Sequence, residues 1–243
     1  KEPPVKFFTM GSNYWRWENE YPVAGTKYTN LYIHSGGSAN SYRGDGTLSW
    51  DAPGGSQTAD QYTYDPDMPV PSVGGNNCCG TPTLAGPREQ RVVESRNDVL
   101  VYTSELIKEP VTIGGPVKMV LYASSDAKDT DFIARLIDVH PDGKAYNMAE
   151  GIMRARYREG LDKPKLLEPG QVYKFEIDMV GTSVEFQKGH RIRVQILSSH
   201  FPQFDRNPNT GEPFGTGGAV KIAHQTIHHS KIRPSHIVLP VLP

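Results

Sequence analysis

Strict alternation of apolar and polar residues runs through much of the chain. In 172–179, Tyr173, Phe175, Ile177 and Met179 share one side while Lys174, Glu176 and Asp178 share the other. That period-2 pattern predicts a strand with one face buried. The stretch 190–197 repeats it, with Ile192, Val194 and Ile196 inward. Runs at 5–10, 28–34, 98–103, 117–123, 131–139, 219–223 and 236–242 read as further strands. Between 131–139 and 145–148, Pro141-Asp142-Gly143-Lys144 carries the Asp-Gly pair of a hairpin turn. The best helix candidate is a short turn around 160–168, limited by Pro164 and Pro169. Many strands without βαβ alternation predict an all-β fold, a β-sandwich or jelly roll. The segment 36–97 differs. It holds Gly36-Gly37, Gly54-Gly55, Pro69, Pro71, Gly74-Gly75 and Pro82 with few apolar runs, and predicts a long irregular loop region of the kind that is usually functional or disordered.

At 243 residues, the chain fits one large all-β domain or two small ones. The 24 Gly and 20 Pro agree with frequent turns. Charge narrows function: 26 basic against 27 acidic residues give a net −1, without the excess of cations that grips nucleic acid. No apolar run approaches the length of a transmembrane helix. A start at Lys1 reads as a processed or excised piece and leaves the compartment unread. Cys78 and Cys79 are adjacent, a poor geometry for a relaxed disulfide, and are expected to be free thiols.

Residue patterns for chemistry are sparse. A hydrolase elbow needs Gly-x-Ser-x-Gly on a strand-to-helix turn. The nearest stretches, Gly36-Gly37-Ser38-Ala39-Asn40 and Gly54-Gly55-Ser56-Gln57-Thr58, lack the second glycine. His224, His228, His229 and His236 cluster in sequence without metal-site spacing, and read as surface or strand-end histidines. Asp126, Asp129, Asp131 and Asp138 do not match a calcium loop and read as turn caps. No metal site and no cofactor are expected. Arg154, Arg156 and Arg158 recur at period 2, which would set three guanidinium groups on one strand face. Such a row serves to dock an acidic surface, forms an ion-pair ladder with Glu150, Glu159 or Asp178, or is simply solvated. Trp15, Trp17 and Trp50, with Tyr14 and Tyr21, offer either packing surface or a sugar-stacking platform.

Several segments together carry a resemblance. They are Pro69-Val70-Pro71-Ser72-Val73-Gly74-Gly75-Asn76-Asn77-Cys78-Cys79-Gly80, Gly86-Pro87-Arg88-Glu89-Gln90-Arg91 and Arg96-Asn97-Asp98-Val99-Leu100-Val101-Tyr102. Further on come Asp129-Thr130-Asp131-Phe132, Ala149-Glu150-Gly151-Ile152-Met153-Arg154-Ala155-Arg156-Tyr157, Phe204-Asp205-Arg206-Asn207-Pro208-Asn209-Thr210-Gly211 and Pro234-Ser235-His236-Ile237-Val238-Leu239-Pro240. In this order, over essentially the whole chain, they resemble the C-terminal region of the cocaine-esterase / X-Pro dipeptidyl-peptidase family of serine hydrolases.

The resemblance implies one galactose-binding-like jelly-roll domain over 1–243, without the catalytic triad. In that family the triad sits on an α/β-hydrolase domain with a helical cap. The implied partner is the hydrolase domain of the same parent chain, and an isolated copy would expose an apolar patch that a homodimer could hide. It also implies a loop at the substrate-pocket rim, here Gly75, Asn76, Asn77, Cys78, Cys79 and Gly80; the spacing of Arg154, Arg156 and Arg158, not the resemblance, makes them interface candidates. The parent reaction would be acyl transfer to water through a serine ester, on an ester, amide or X-Pro peptide. The competing reading is a free-standing carbohydrate-binding module.

Overall fold

The computed structural model describes residues 2–77, 84–213 and 218–243. Among them, β1 (Val5–Thr9) and β2 (Tyr14–Glu18) make a hairpin separate from the main sheet. The main sheet holds β3 (Lys27–His34), β4 (Thr47–Ser49), β5 (Asp60–Tyr64), β6 (Leu100–Ser104), β7 (Val111–Ser125) and β8 (Asp131–Val139). It continues with β9 (Ala145–Arg154), β10 (Tyr173–Phe186), β11 (Arg191–Leu197), β12 (Ala223–His228) and β13 (His236–Val241). One helical turn, α1 (Arg91–Glu94), and a 3-10 turn at Ala155–Tyr157 are the helical elements among the described residues. None is long and apolar enough to cross a membrane.

The strands pair in the order β5-β12-β7-β13-β3-β4-β6-β11-β8-β9, and β10 pairs with β7. Every ladder is antiparallel except β4 with β6. The sheet folds back on itself, bringing β10 against β9. There the Thr182 hydroxyl donates to the Met148 carbonyl at 2.9 Å, and a Cβ on Gly151 would collide with the Asp178 carbonyl. Between the facing layers lies a core that includes Leu31, Ile33, Met119, Leu121, Phe132, Phe175, Ile177, Val194, Ile196 and Leu239. The all-β sandwich expected from the alternation is therefore formed. Phe175, Ile177 and Met179 on β10 and Ile192, Val194 and Ile196 on β11 point inward, because only that face can leave water.

Four local expectations are corrected. The strand expected at 219–223 begins only at Ala223. Its inward row is Ala223, Gln225 and Ile227, and buried Gln225 interrupts the apolar signal while donating to Thr130 Oγ1 at 2.7 Å. No helix forms at 160–168; a turn runs there, closed by Lys163 N–H to the Gly160 carbonyl, and Leu167 N–H is held by the distant Lys128 carbonyl. The region 36–97 is not wholly irregular, since it contains β4, β5 and α1. Arg154, Arg156 and Arg158 do not line one strand, because β9 ends at Arg154 and the chain turns into the 3-10 segment.

β8 is buried along its full length, on both faces. Phe132, Ala134 and Leu136 enter the main core. On the opposite face Ile133 joins Val70, Val93, Val99, Val101 and Leu197 in a second cluster, so part of the 36–97 segment covers this face.

Candidate functional site

The covered face of β8 carries buried charge beside its apolar residues. Arg135 stands across from Glu150 on β9 and from Gln195 on β11. Its Nε lies 3.4 Å from Glu150 Oε2, and its Nη1 donates to Gln195 Oε1 at 3.3 Å. Gln195 donates in turn to Glu94 Oε1 of α1 at 2.8 Å, and Arg193 binds the other oxygen of Glu94 at 2.5 Å. Arg135, Glu94 and Gln195 are fully buried. Charges this deep persist only when paired and hydrogen-bonded. His200 lies beside them, with Nε2 3.4 Å from Glu150 Oε2. Burial, aided by repulsion from the Arg135 guanidinium, pushes the imidazole down to about 3. Glu150 already answers Arg135, so His200 stays neutral.

The glycine loop rests on this charge row. The Val73 carbonyl accepts from Arg135 Nη2 at 3.1 Å and from Gln90 Nε2 at 2.8 Å. Gly75 exchanges both backbone hydrogen bonds with Gly86, each 2.9 Å. The Asn76 N–H donates to Glu150 Oε1 at 3.1 Å, and Gln203 Nε2 donates to the same oxygen at 2.8 Å. Asn77 Nδ2 closes the turn on the Gly74 carbonyl at 2.6 Å. Position 75 requires glycine for two reasons: φ is +96°, and a Cβ would run into the Glu150 carboxylate. Of the six rim candidates, the structure brings Gly75 and Asn76 onto Glu150, with Asn77 beside them. Cys78, Cys79 and Gly80 lie outside the described residues. Sequence reasoning missed Glu150, Arg135 and Gln203 as the loop's support, because nothing local marks a polar residue on a half-apolar strand as covered.

A serine, an imidazole and a carboxylate do meet elsewhere, at Ser35, His229 and Asp60. Nucleophilic catalysis needs the imidazole between the other two, taking the serine proton on one nitrogen while the carboxylate holds the other. Here Ser35 Oγ and Asp60 Oδ2 both lie on His229 Nε2, at 3.1 and 3.0 Å, while Nδ1 faces Gln57 Oε1 at 2.7 Å. The serine hydroxyl donates to Asp60 at 2.7 Å instead of to the imidazole. Asp60 also accepts from Tyr102 Oη and the Ala39 N–H. Burial alone would raise the Asp60 carboxyl, but donation from His229, Ser35, Ala39 and Tyr102 outweighs it and holds the group below the ordinary range. Asp60 and His229 are buried, so the trio ties β3, β5, β6 and the end of β12 together rather than addressing a substrate.

The other sequence candidates disperse. Arg154 forks onto Asp131 at 2.8 and 2.9 Å and reaches Asp205; Arg156 holds Asp129 at 2.8 Å. Asn207 Nδ2 joins the two carboxylates, at 3.0 Å from Asp129 and 2.8 Å from Asp131. Arg158 donates to the Ala155 and Lys165 carbonyls and stacks over Tyr173. These arginines form an ion-pair network: of the carboxylates the spacing singled out, Glu159 pairs with Arg158 at 3.7 Å, while Arg154 and Arg156 take Asp131 and Asp129 instead. His224 lies against Thr63, His229 in the Asp60 hub, and His236 beside Tyr32, so the histidines do not converge. On the hairpin, Trp15 and Trp17 share a side, and Lys6 Nζ sits 5.1 and 4.4 Å from their ring centres. Phe8, Trp15, Trp17, Tyr21 and Tyr28 are all exposed.

The chain matches the model of the X-Pro dipeptidyl-peptidase C-terminal non-catalytic domain over residues 1–238. It is 45% identical over 242 residues to the cocaine esterase of Rhodococcus sp. (strain MB1 Bresler), covering 99% of this chain and 42% of that protein. A putative serine esterase of Mycobacterium tuberculosis is 27% identical over 257 residues, covering 95% of this chain and 37% of that protein. Among solved structures, an aminopeptidase from the marine sediment archaeon Thaumarchaeota archaeon superposes with a TM-score of 0.87 at 30% identity, over 100% of this chain and 41% of that one. An α-amino acid ester hydrolase gives 0.86 at 31% identity, over 99% and 41%. The chain spans less than half the length of the curated relatives it matches. The match over residues 1–238 places the chain in the family of X-Pro dipeptidyl-peptidase C-terminal non-catalytic domains.

Proposed function

We propose that this chain is the β-sandwich, a single domain over 1–243, that completes a serine esterase or peptidase: it packs on a hydrolase domain of the same parent chain and offers its glycine loop to the rim of the substrate pocket. The observation carrying this reading is the loop's anchorage. Loops usually owe their shape to surface turns, yet 73–77 is held from below by a buried carboxylate and guanidinium. That foundation suits a segment whose backbone must be held in place beside a reacting substrate. The loop adds no nucleophile among its described residues, so its part is shape and hydrogen bonding, through Asn76 and Asn77. The exposed aromatic face of the β1–β2 hairpin supports the packing role, as clustered apolar surface of this kind marks interfaces. The parent reaction is acyl transfer to water through a serine ester.

The purified chain tests this directly. It should neither hydrolyse p-nitrophenyl acetate above background nor take up a fluorophosphonate label. Stoichiometric labelling of one serine, Ser35 above all, would overturn the reading.

A further inference from the structure

The inward rows of β8 and β11 do not end in apolar residues. On β8 the row Phe132, Ala134, Leu136 continues to Asp138 and, past the strand, to His140. On β11 the row Ile196, Val194, Ile192 runs back to His190. Ile192 stands across from Asp138 in the ladder, so the three polar residues meet at one end of the sandwich. Asp138 Oδ1 lies 2.9 Å from His190 Nδ1, and Oδ2 lies 3.4 Å from His140 Nε2. One ligand atom from each falls within 4.8 Å of the others.

The geometry points to a divalent transition-metal site of the zinc class, with Asp138, His140 and His190 as its protein ligands. Zinc bonds of about 2.0–2.2 Å arranged tetrahedrally put ligand atoms roughly 3.3–3.5 Å apart; the 3.4 Å between Asp138 and His140 matches this, the 2.9 Å to His190 would open slightly, and all three atoms already lie within 4.8 Å of one another. Two imidazoles and one carboxylate select a borderline ion such as Zn²⁺ over Ca²⁺ or Mg²⁺, which take oxygen ligands. Three ligands leave a fourth position for water. It opens toward solvent on the His140 side, where that side chain is 39% exposed against 3% for Asp138.

The backbone around the three residues is hydrogen-bonded, and the two imidazoles are the partners of the carboxylate. His140 is fixed in its hairpin by its N–H to the Lys144 carbonyl at 2.8 Å and by the Gly143 N–H to its own carbonyl at 2.9 Å, and its ring packs on Tyr146. The His190 N–H is held by the Gln187 carbonyl at 3.0 Å. Asp138 is buried, with the two imidazoles as its side-chain partners. Basic neighbours turn away: Lys144 pairs with Asp142, and Arg191 donates to the Ser104 carbonyl. A bound cation would neutralise the carboxylate and staple the β8–β9 hairpin to the entry of β11.

The full chain carrying Cys78→Ser and Cys79→Ser, so that thiols do not compete, is stripped with chelator. It is then titrated with Zn²⁺ by calorimetry and with Co²⁺ by visible absorption. One Zn²⁺ per chain is expected, with the d–d bands of Co²⁺ in a site of low coordination number and a higher melting temperature in Zn²⁺. His140→Ala, on an exposed turn, should keep its circular dichroism and bind Zn²⁺ at least about tenfold more weakly. Asp138→Asn should do the same, and His224→Ala should bind as the parent does. Absence of stoichiometric uptake, or uptake that survives both His140→Ala and Asp138→Asn, would overturn the assignment.

Discussion

Gly75 is where local conformation and long-range charge meet. Its φ of +96° alone would disfavour any side chain, and Glu150 occupies the space that a Cβ would need. Gly75→Ala must therefore move the loop or move the carboxylate that also holds Asn76 and Gln203. A loss of about 1–3 kcal/mol is expected from urea unfolding, the range for overpacking and for strained backbone. Faster proteolytic cutting within 73–77 should accompany it. The glycine pair at 74–75 is plain in the sequence. The reason that position 75 admits nothing else is not, because Glu150 is 75 residues away along the chain.

At the scale of elements, β8 shows how alternation misleads when both faces are covered. Its inward row was readable as apolar. Its other face carries Asp131 and Arg135, which a two-layer reading assigns to solvent. The structure instead lays Val70, Val73 and Val93 over that face and pairs Arg135 with Glu150, within reach of Gln195 and Glu94. Removing the guanidinium leaves a carboxylate buried without its counter-ion, so Arg135→Ala should cost about 3–5 kcal/mol. Arg135→Met combined with Glu150→Gln should recover much of that loss, since it removes both charges together. If the double variant is as unstable as Arg135→Ala, the loss comes from packing rather than charge. The same burial explains β12, where an inward Gln225 hid a strand from an apolar search.

For the whole molecule, pH resistance is set by buried imidazoles before the carboxylates act. His200 is held at about 3, so between that value and the ordinary pKa near 6.5 the unfolded chain binds a proton that the folded chain refuses. Stability then rises with pH across this window. It is complete above about 6.5 and falls on acidification by up to about 1.4 kcal/mol per unit. His228 and His236 are displaced downward too, mainly by burial, and add to the slope. Asp60, lowered in the fold, withdraws its share only below its unfolded value of about 3.9. Urea midpoints measured from pH 7 to pH 4 should decline steeply, and His200→Asn should flatten the decline without abolishing it. An unchanged slope in that variant would show that His200 titrates alike in both states.

What the sequence determined by itself was the alternation that makes an all-β sandwich, the inward rows of β10 and β11, the hairpin at Asp142-Gly143, the lack of an elbow, and a family resemblance spread along the chain. All but the resemblance are written in residues near one another, where backbone period and turn chemistry act. Tertiary structure alone decided which polar residues leave water. It seats the glycine loop on Glu150, turns Arg154 and Arg156 onto Asp131 and Asp129, withholds the triad geometry from Ser35, His229 and Asp60, and gathers Asp138, His140 and His190 at one end of the sheet. The physical reason is common to all four. A charge is buried only where a partner from a distant strand arrives to compensate it, and strand pairing, not local spacing, brings that partner.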